Sequence, residues 1–264
     1  MTAPCDRAVL AAAGLPDLAP ALAGPAHPLV FATVSGAHLY GFPSRDSDVD
    51  LRGAHLLPLR AVLGLDAPAE TDGRMWEQDG TEMDLVTHDL AKFARLLLRR
   101  NGYVLEQLLS PLVAQTSRIH ADLVALAPRL LTRHHAHHYR GFARGQWRLF
   151  GTSGELKPLL YTFRVLLTGI HLMRAGEVVA HLPELTGLVP APAYLGDLVA
   201  AKAAAEHGLL SAVAGAPGAE RLDADVRALH AALDDAQRGT PLPEMPAGRP
   251  ELGEIVVDAR LGRG

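Results

Sequence analysis

The chain has 264 residues, 48% of them hydrophobic and 20% charged, with a formal net charge of −4. It carries enough apolar chain for one large domain or two small ones, which excludes a disordered protein, and its overall charge excludes a general electrostatic pull towards nucleic acid. Its apolar stretches are too short and interrupted for a transmembrane helix, so no membrane partner is expected.

The single cysteine, Cys5, has no partner for an internal disulfide, which suits a reducing, cytoplasmic setting. The Ala/Leu-rich start lacks a basic region and is interrupted by Asp6, Arg7 and Asp17, so it is not read as a signal peptide.

Residues 6–24 read as one or two short helices broken by Gly14 and Pro16. Residues 28–35, PLVFATVS, form a continuous apolar and β-branched run, which predicts a buried strand. A short turn or helix start follows at 36–42. Residues 47–56, SDVDLRGAHL, alternate: Val49 and Leu51 point to one face, Asp48, Asp50 and Arg52 to the other. Residues 57–65 read as a helical connector. Residues 79–88, DGTEMDLVTH, start at a turn and alternate again, with Met83 and Leu85 on one face and Glu82 and Asp84 on the other.

The period then changes. Residues 89–102 carry Leu90, Phe93, Ala94 and Leu97 at helical spacing, with Asp89 as the expected N-cap and Asn101-Gly102 as the stop. Further helices are expected near 103–109, 120–132, 134–150, 157–175, 192–207 and 220–238. The Pro-rich stretch 241–250 breaks the pattern before a short closing helix.

Asp48 and Asp50 are the anomaly. Asp is a poor strand residue, and like charges on one face repel. An ordinary solvated edge strand would accommodate a lone Asp-x-Asp. Here the turn Ser35-Gly36-Ala37 precedes it and a third carboxylate, Asp84, lies on the equivalent face of a later strand. Converging carboxylates are what Mg²⁺ needs, with positions left for phosphate oxygens and water. Backbone N–H groups at a turn suit a phosphate.

These residues resemble the DNA polymerase β-like nucleotidyltransferase superfamily. More narrowly, GAHLYGFPSRDSDVDLRG and DLVTHDLAKFARLLLRRNGYVLEQLLSP are similar to the nucleotidyltransferases associated with RNA repair pathways. The resemblance is tight over residues 30–112 and looser through 157–178 and 242–244. It implies that Asp48, Asp50 and Asp84 hold two Mg²⁺ ions, or Mn²⁺ in their place, and that Asp84 helps to deprotonate an acceptor hydroxyl. Glu82 is the competing third carboxylate. It further implies that Ser35, Gly36, Ala37, Ser47, Arg52 and Lys157 contact a nucleoside triphosphate such as ATP. Arg52 could neutralise the aspartates, reach a phosphate, or both. The superfamily usually has Gly-Gly or Gly-Ser in the turn; Gly36-Ala37 departs from this and loses a hydroxyl donor. At Tyr161, four residues after Lys157, a histidine would be expected.

From Arg129 to Arg174, seven Arg and one Lys against the lone acid Glu155 leave this stretch at +7 and the remainder at −11. Arg133, His137, Arg140, Arg144 and Arg148 fall on one helical face. This stripe is read as a contact for triphosphate or nucleic-acid backbone, with a solvated helix face as the plain alternative. His134, His135, His137 and His138 lack the further ligands that a zinc site needs. Lys157 and Arg164 share a face of the next helix, whose Phe163, Leu166, Leu167 and Ile170 read as core. Trp76 and Trp147 read as core rather than as base-stacking rings.

The expected fold class is therefore α+β: a small mixed β-sheet nucleotidyltransferase core with flanking helices over 1–112, followed by an all-helical domain over 113–264. The expected reaction is transfer of a nucleoside monophosphate from an NTP to a hydroxyl, most simply of an RNA acceptor. A protein or small-molecule acceptor, or a non-catalytic nucleotide- or RNA-binding module, are the alternatives.

Overall fold

The structure, a computed structural model, describes residues 7–204 and 208–263. Cys5 and the end of the helix expected over 192–207 lie outside these residues. Among the described residues no helix is long and apolar enough to cross a membrane. The chain divides into two compact units: Met1–Leu39, Asp48–Leu130 and Pro246–Gly264 form the first, and Tyr40–Ser47 with Leu131–Met245 the second.

The first unit is built on a mixed five-stranded sheet of β1 (Leu29–Val34), β2 (Val49–His55), β3 (Thr71–Gln78), β4 (Thr81–Asp89) and β5 (Val113–Gln115), in the order β3-β4-β2-β1-β5. β2 runs parallel to β4, whereas the β1–β2, β1–β5 and β3–β4 pairs are antiparallel. The continuous apolar run of β1 is buried from Val30 to Val34, as expected for a strand covered on both faces. Phe31 meets Phe93 edge-on, ring centroids 5.2 Å apart, and stacks on His120 at 4.4 Å. Burying each such phenyl ring contributes about 1.5–3 kcal/mol.

Three helices of this unit are capped as their sequences dictate. Asp89 caps Leu90–Leu98 by accepting from the Ala91 amide, Asn101 caps Gly102–Leu108, and Ser117 caps Arg118–Leu126. The closing helix, Arg249–Arg260, returns to this unit: the buried carboxylate of Asp89 accepts from Arg260, and Arg129 pairs with Glu251 at 2.8 Å.

Two strands were not expected. β3 alternates only between exposed and half-buried residues, so it has no apolar face to announce it. β5 has three residues directly after a proline-containing turn, too few for a periodic signal. The expected boundary near residue 112 also differs from the two units. β5 pairs with β1, so the chain past 112 returns to the sheet, and Arg118–Leu126 with the 3-10 turn Ala127–Leu130 follows it there.

The second unit is helical. His135–Ser153 and Leu156–Ala175 are joined by Gly154, whose φ of 68° supplies the left-handed C-cap of the first helix. Leu156–Ala175 is apolar nearly all round and buried accordingly, with Phe163, Leu166, Leu167 and Ile170 inaccessible as expected. Ala219–Gly239 packs against it where Gly169 lies close to Tyr139 and Leu233. A short helix at Leu182–Leu188 was not expected. Trp76 and Trp147 are half-buried rather than core: Trp76 lies under the Arg74 guanidinium, 4.2 Å from its ring centroid, and Trp147 lies beside Phe150.

Candidate active site

β2 and β4 pair in parallel with Val49 opposite Met83, Asp50 opposite Asp84 and Leu51 opposite Leu85. Alternation then does two things at once. Met83 and Leu85 enter the core with Val49 and Leu51, and Asp50 and Asp84 emerge side by side on the other face. The two carboxylates are partly covered, with side-chain exposures of 28% and 24%. The register sets Glu82 and Asp84 apart. Glu82 is exposed and sits opposite Glu77 of β3, whereas Asp84 meets Asp50.

Arg52 closes the pair. Its Nη2 donates to Asp50 Oδ1 at 2.6 Å and to Asp84 Oδ2 at 2.7 Å. Nη1 donates to the carbonyls of Leu51 and Asp84, and Nε donates to the Tyr103 hydroxyl at 3.1 Å. Burial disfavours the Arg52 charge, but the Tyr103 oxygen and the Asp50 carboxylate outweigh it and raise its pKa.

Gly36 faces Asp50. Its φ is 62°, and a Cβ built there would stand 1.9 Å from Asp50 Oδ2. Only glycine satisfies both conditions at once. The Ser35 amide donates to the Asp50 carbonyl at 2.8 Å, which fixes the turn to the start of β2. Ser35 is fully buried, and among the described residues its hydroxyl has no hydrogen-bond partner. Ala37 is also buried.

The remaining expected residues fall differently. Asp48 is exposed and lies just before the paired part of β2. Among the described residues no three His, Cys, Asp or Glu side chains come together as a group that could hold a metal, either around Asp48 or in the histidine-rich stretch. In the second unit Ser47 is buried, its hydroxyl accepts from the Ser44 amide at 2.9 Å, and the two hydroxyls lie 3.0 Å apart. The ammonium of buried Lys202 lies 3.4 Å from Ser44 Oγ. Lys157 is half-buried in the first turn of its helix. Arg164, expected on the same helix face, is buried and lays its guanidinium 3.7 Å from the Tyr40 ring centroid.

The basic stripe is divided. Arg133 donates to the carbonyls of Gln237 and Arg238 at the end of Ala219–Gly239 and to Glu244. Arg140 donates to Asp234 and Gln237 on that same helix. Arg144 and Arg148 are exposed. The stripe is thus half internal fastening and half surface charge.

Residues 13–258 match the RNA repair pathway DNA polymerase beta family. The chain belongs to this family. An uncharacterized protein of Methanocaldococcus jannaschii, MJ0002, is 33% identical over 154 residues, 56% of this chain and 61% of that protein, so the chain spans about three-fifths of that relative's length. A nucleotidyltransferase-like protein from Exiguobacterium sibiricum 255-15, known from its crystal structure, is 12% identical with a TM-score of 0.32, covering 93% of this chain and 78% of that one.

Membership of the RNA repair pathway DNA polymerase beta family gives Asp50 and Asp84 a chemical context. The pair fits a hard divalent cation. Mg²⁺ is commonly held by one or two carboxylates, with phosphate oxygens and water completing its shell. Here two carboxylate oxygens already converge on one cationic nitrogen. Two residues beside the family motif carried no assigned role in the sequence: Tyr103, which fastens Arg52, and Lys202, next to Ser44. Tyr103 stands in the stretch that carries the resemblance, but no periodicity marks which of its residues turns back to β2. Lys202 is a lone lysine in an Ala-rich helix, and its position is set by packing.

Proposed function

We propose that this protein is a Mg²⁺-dependent nucleotidyltransferase that moves a nucleoside monophosphate from an NTP to a hydroxyl group at an RNA end. The observation that carries the reading is the in-register pair Asp50–Asp84 on one face of parallel strands, in a chain of this family. Bound Mg²⁺ or Mn²⁺ supplies positive charge to the reacting phosphate, the acceptor oxygen and the departing pyrophosphate.

The chain's own residues do the rest. Asp84 accepts the proton of the acceptor hydroxyl, whose oxygen then bonds to the α-phosphorus of the NTP. The bond from that phosphorus to the bridging oxygen of the β-phosphate breaks, and pyrophosphate leaves. Asp50 holds the cation with Asp84. Asp48, exposed just before the paired part of β2, would be the third carboxylate of the set. Ser35, Gly36 and Ala37 offer turn backbone to phosphate, and the buried Ser35 hydroxyl is a donor available there. In the second unit, Ser47 and Lys157 are the residues that the family resemblance assigns to the triphosphate, and the exposed Arg144 and Arg148 carry charge suited to an RNA backbone.

The test is incubation of the full chain with labelled NTPs, Mg²⁺ and a panel of RNA ends. Label on RNA is expected, with Asp50→Ala and Asp84→Ala each lowering transfer by about 10²–10⁴-fold, the range for loss of a positioned acid or base. Label on protein or on a small molecule would move the acceptor. Nucleotide binding without any transfer would make the protein a binding module.

A further inference from the structure

The sequence leaves Arg52 to neutralise the aspartates, to reach for a phosphate, or to do both, and its hydrogen bonds favour the first. A guanidinium has five N–H donors in a fixed fork. All five have acceptors: one at Tyr103, two at the Leu51 and Asp84 carbonyls, and two at the Asp50 and Asp84 carboxylates. Its side chain is 12% exposed. A group fastened at both ends has no donor left for a ligand, and three of its acceptors are not carboxylates that an arriving cation would claim.

We infer that Arg52 is a fixed internal counter-cation, which keeps Asp50 and Asp84 aligned without metal and makes the divalent cation enter together with the nucleotide's phosphates. This rests on the reading of the pair as a cation site.

The reasoning is electrostatic. Two ionised carboxylates and one guanidinium carry a net charge of −1. A divalent cation arriving alone leaves the cluster at +1, in a partly covered site where charge is poorly screened. A triphosphate arriving with the cation turns that surplus negative, and the guanidinium then offsets part of the negative charge. Arg52 therefore weakens the site for a free cation and favours the cation–nucleotide complex. The same guanidinium keeps the in-register carboxylates from repelling each other apart, so the site is assembled before either ligand arrives. Its role is positioning and charge, exercised through Asp50 and Asp84.

The test uses the full chain and Mn²⁺ as the probe, with binding measured by calorimetry in the absence and presence of a non-hydrolysable NTP analogue. Wild type is expected to bind Mn²⁺ at least tenfold more tightly with the analogue than without it. Arg52→Gln removes the charge and is expected to bind free Mn²⁺ about tenfold more tightly than wild type, narrowing that gap. Arg52→Lys keeps the charge but not the fork, and its free Mn²⁺ affinity is expected within about threefold of wild type, because the charge sets the effect. Thermal melts confirm that each variant is folded.

Free Mn²⁺ affinity that is unchanged or lower in Arg52→Gln overturns the inference. So does Arg52→Lys with affinity raised as predicted for the Gln variant, a result that decides the matter even if Arg52→Gln does not fold. Mn²⁺ uptake that vanishes in Asp50→Ala while Arg52→Gln behaves as wild type leaves the cation site standing and removes only the role given to Arg52. No Mn²⁺ uptake by any of the proteins, with or without analogue, overturns both.

Discussion

Gly36 and Asp50 are fourteen residues apart in the chain and touch in the fold. The superfamily usually has Gly or Ser where this chain has Ala37, but Gly36 is the more constrained position. It needs a positive φ, and it must leave room for Asp50 Oδ2. Gly36→Ala is therefore expected to lower stability by about 1–3 kcal/mol, as for other strained backbone positions. It should also push the Asp50 carboxylate out of line with Asp84. Chemical denaturation gives the first effect, and loss of Mn²⁺ affinity gives the second. A variant with unaltered stability and affinity would mean that the close approach has no consequence. Alternation put Asp50 on a polar face with Asp48, and Asp84 on one with Glu82. That Asp50 and Asp84 lie directly opposite could not be read there, because register is a property of two strands and not of either sequence.

Among the elements, the closing helix Arg249–Arg260 has the clearest dependence on one contact. Arg260 donates to Asp89, and both side chains are almost wholly buried, at 8% and 2% exposure. Burial alone would raise the Asp89 pKa, but hydrogen bonds from Arg260 and from the Leu57 and Ala91 amides reverse this and lower it. A carboxyl whose pKa is lowered by folding stabilises the native state above its unfolded pKa, and that contribution is lost as pH falls through the lower, folded value. Stability is thus expected to decline on acidification below about pH 4, the ordinary carboxylate range. Arg260→Met leaves Asp89 buried without its cation and should cost about 3–5 kcal/mol at neutral pH. It should also flatten the acid limb of the stability profile. Urea melts across pH 2–7 would check both, and an acid limb as steep as wild type would exclude Asp89 as its source. β3 shows the limit of reading elements locally. Its hairpin turn, Asp79-Gly80 with φ of 51° and 78°, is the strongest short signal for a hairpin, and it stood in the sequence. The strand before it was missed because its own residues, Thr71 to Gln78, carry no apolar face.

For the whole molecule, the uneven distribution of charge gains meaning only after the basic stripe is sorted by environment. Arg140, with Arg133 in the turn before its helix, fastens that helix to Ala219–Gly239, whereas Arg144 and Arg148 face solvent. Arg144→Glu with Arg148→Glu is expected to leave stability within about 0.5 kcal/mol, as at ordinary surface positions. RNA affinity should fall, with a shallower dependence on salt, because phosphate contacts release counterions. Arg133→Ala should instead lower stability by about 1–3 kcal/mol, because it leaves backbone carbonyls unpaired. Filter binding at several salt concentrations and thermal melts separate the two classes. RNA affinity unchanged in the double variant would return the exposed arginines to plain solvated surface.

What the sequence by itself determined is what short-range chemistry encodes. The alternation of β2 and β4, the helical period after Asp89, the capping side chains and the turn before the Asp-x-Asp all act over a few residues, and each was legible there. They sufficed for the fold class, whereas the family rested on the resemblance of the motif residues as a set. Only the tertiary structure decided which carboxylates meet, that every donor of Arg52 is used, that Arg164 turns inward to Tyr40, and that the last helix rejoins the sheet-bearing unit. Those facts depend on the pairing of segments far apart in the chain, where packing and the burial of charge outweigh local preference.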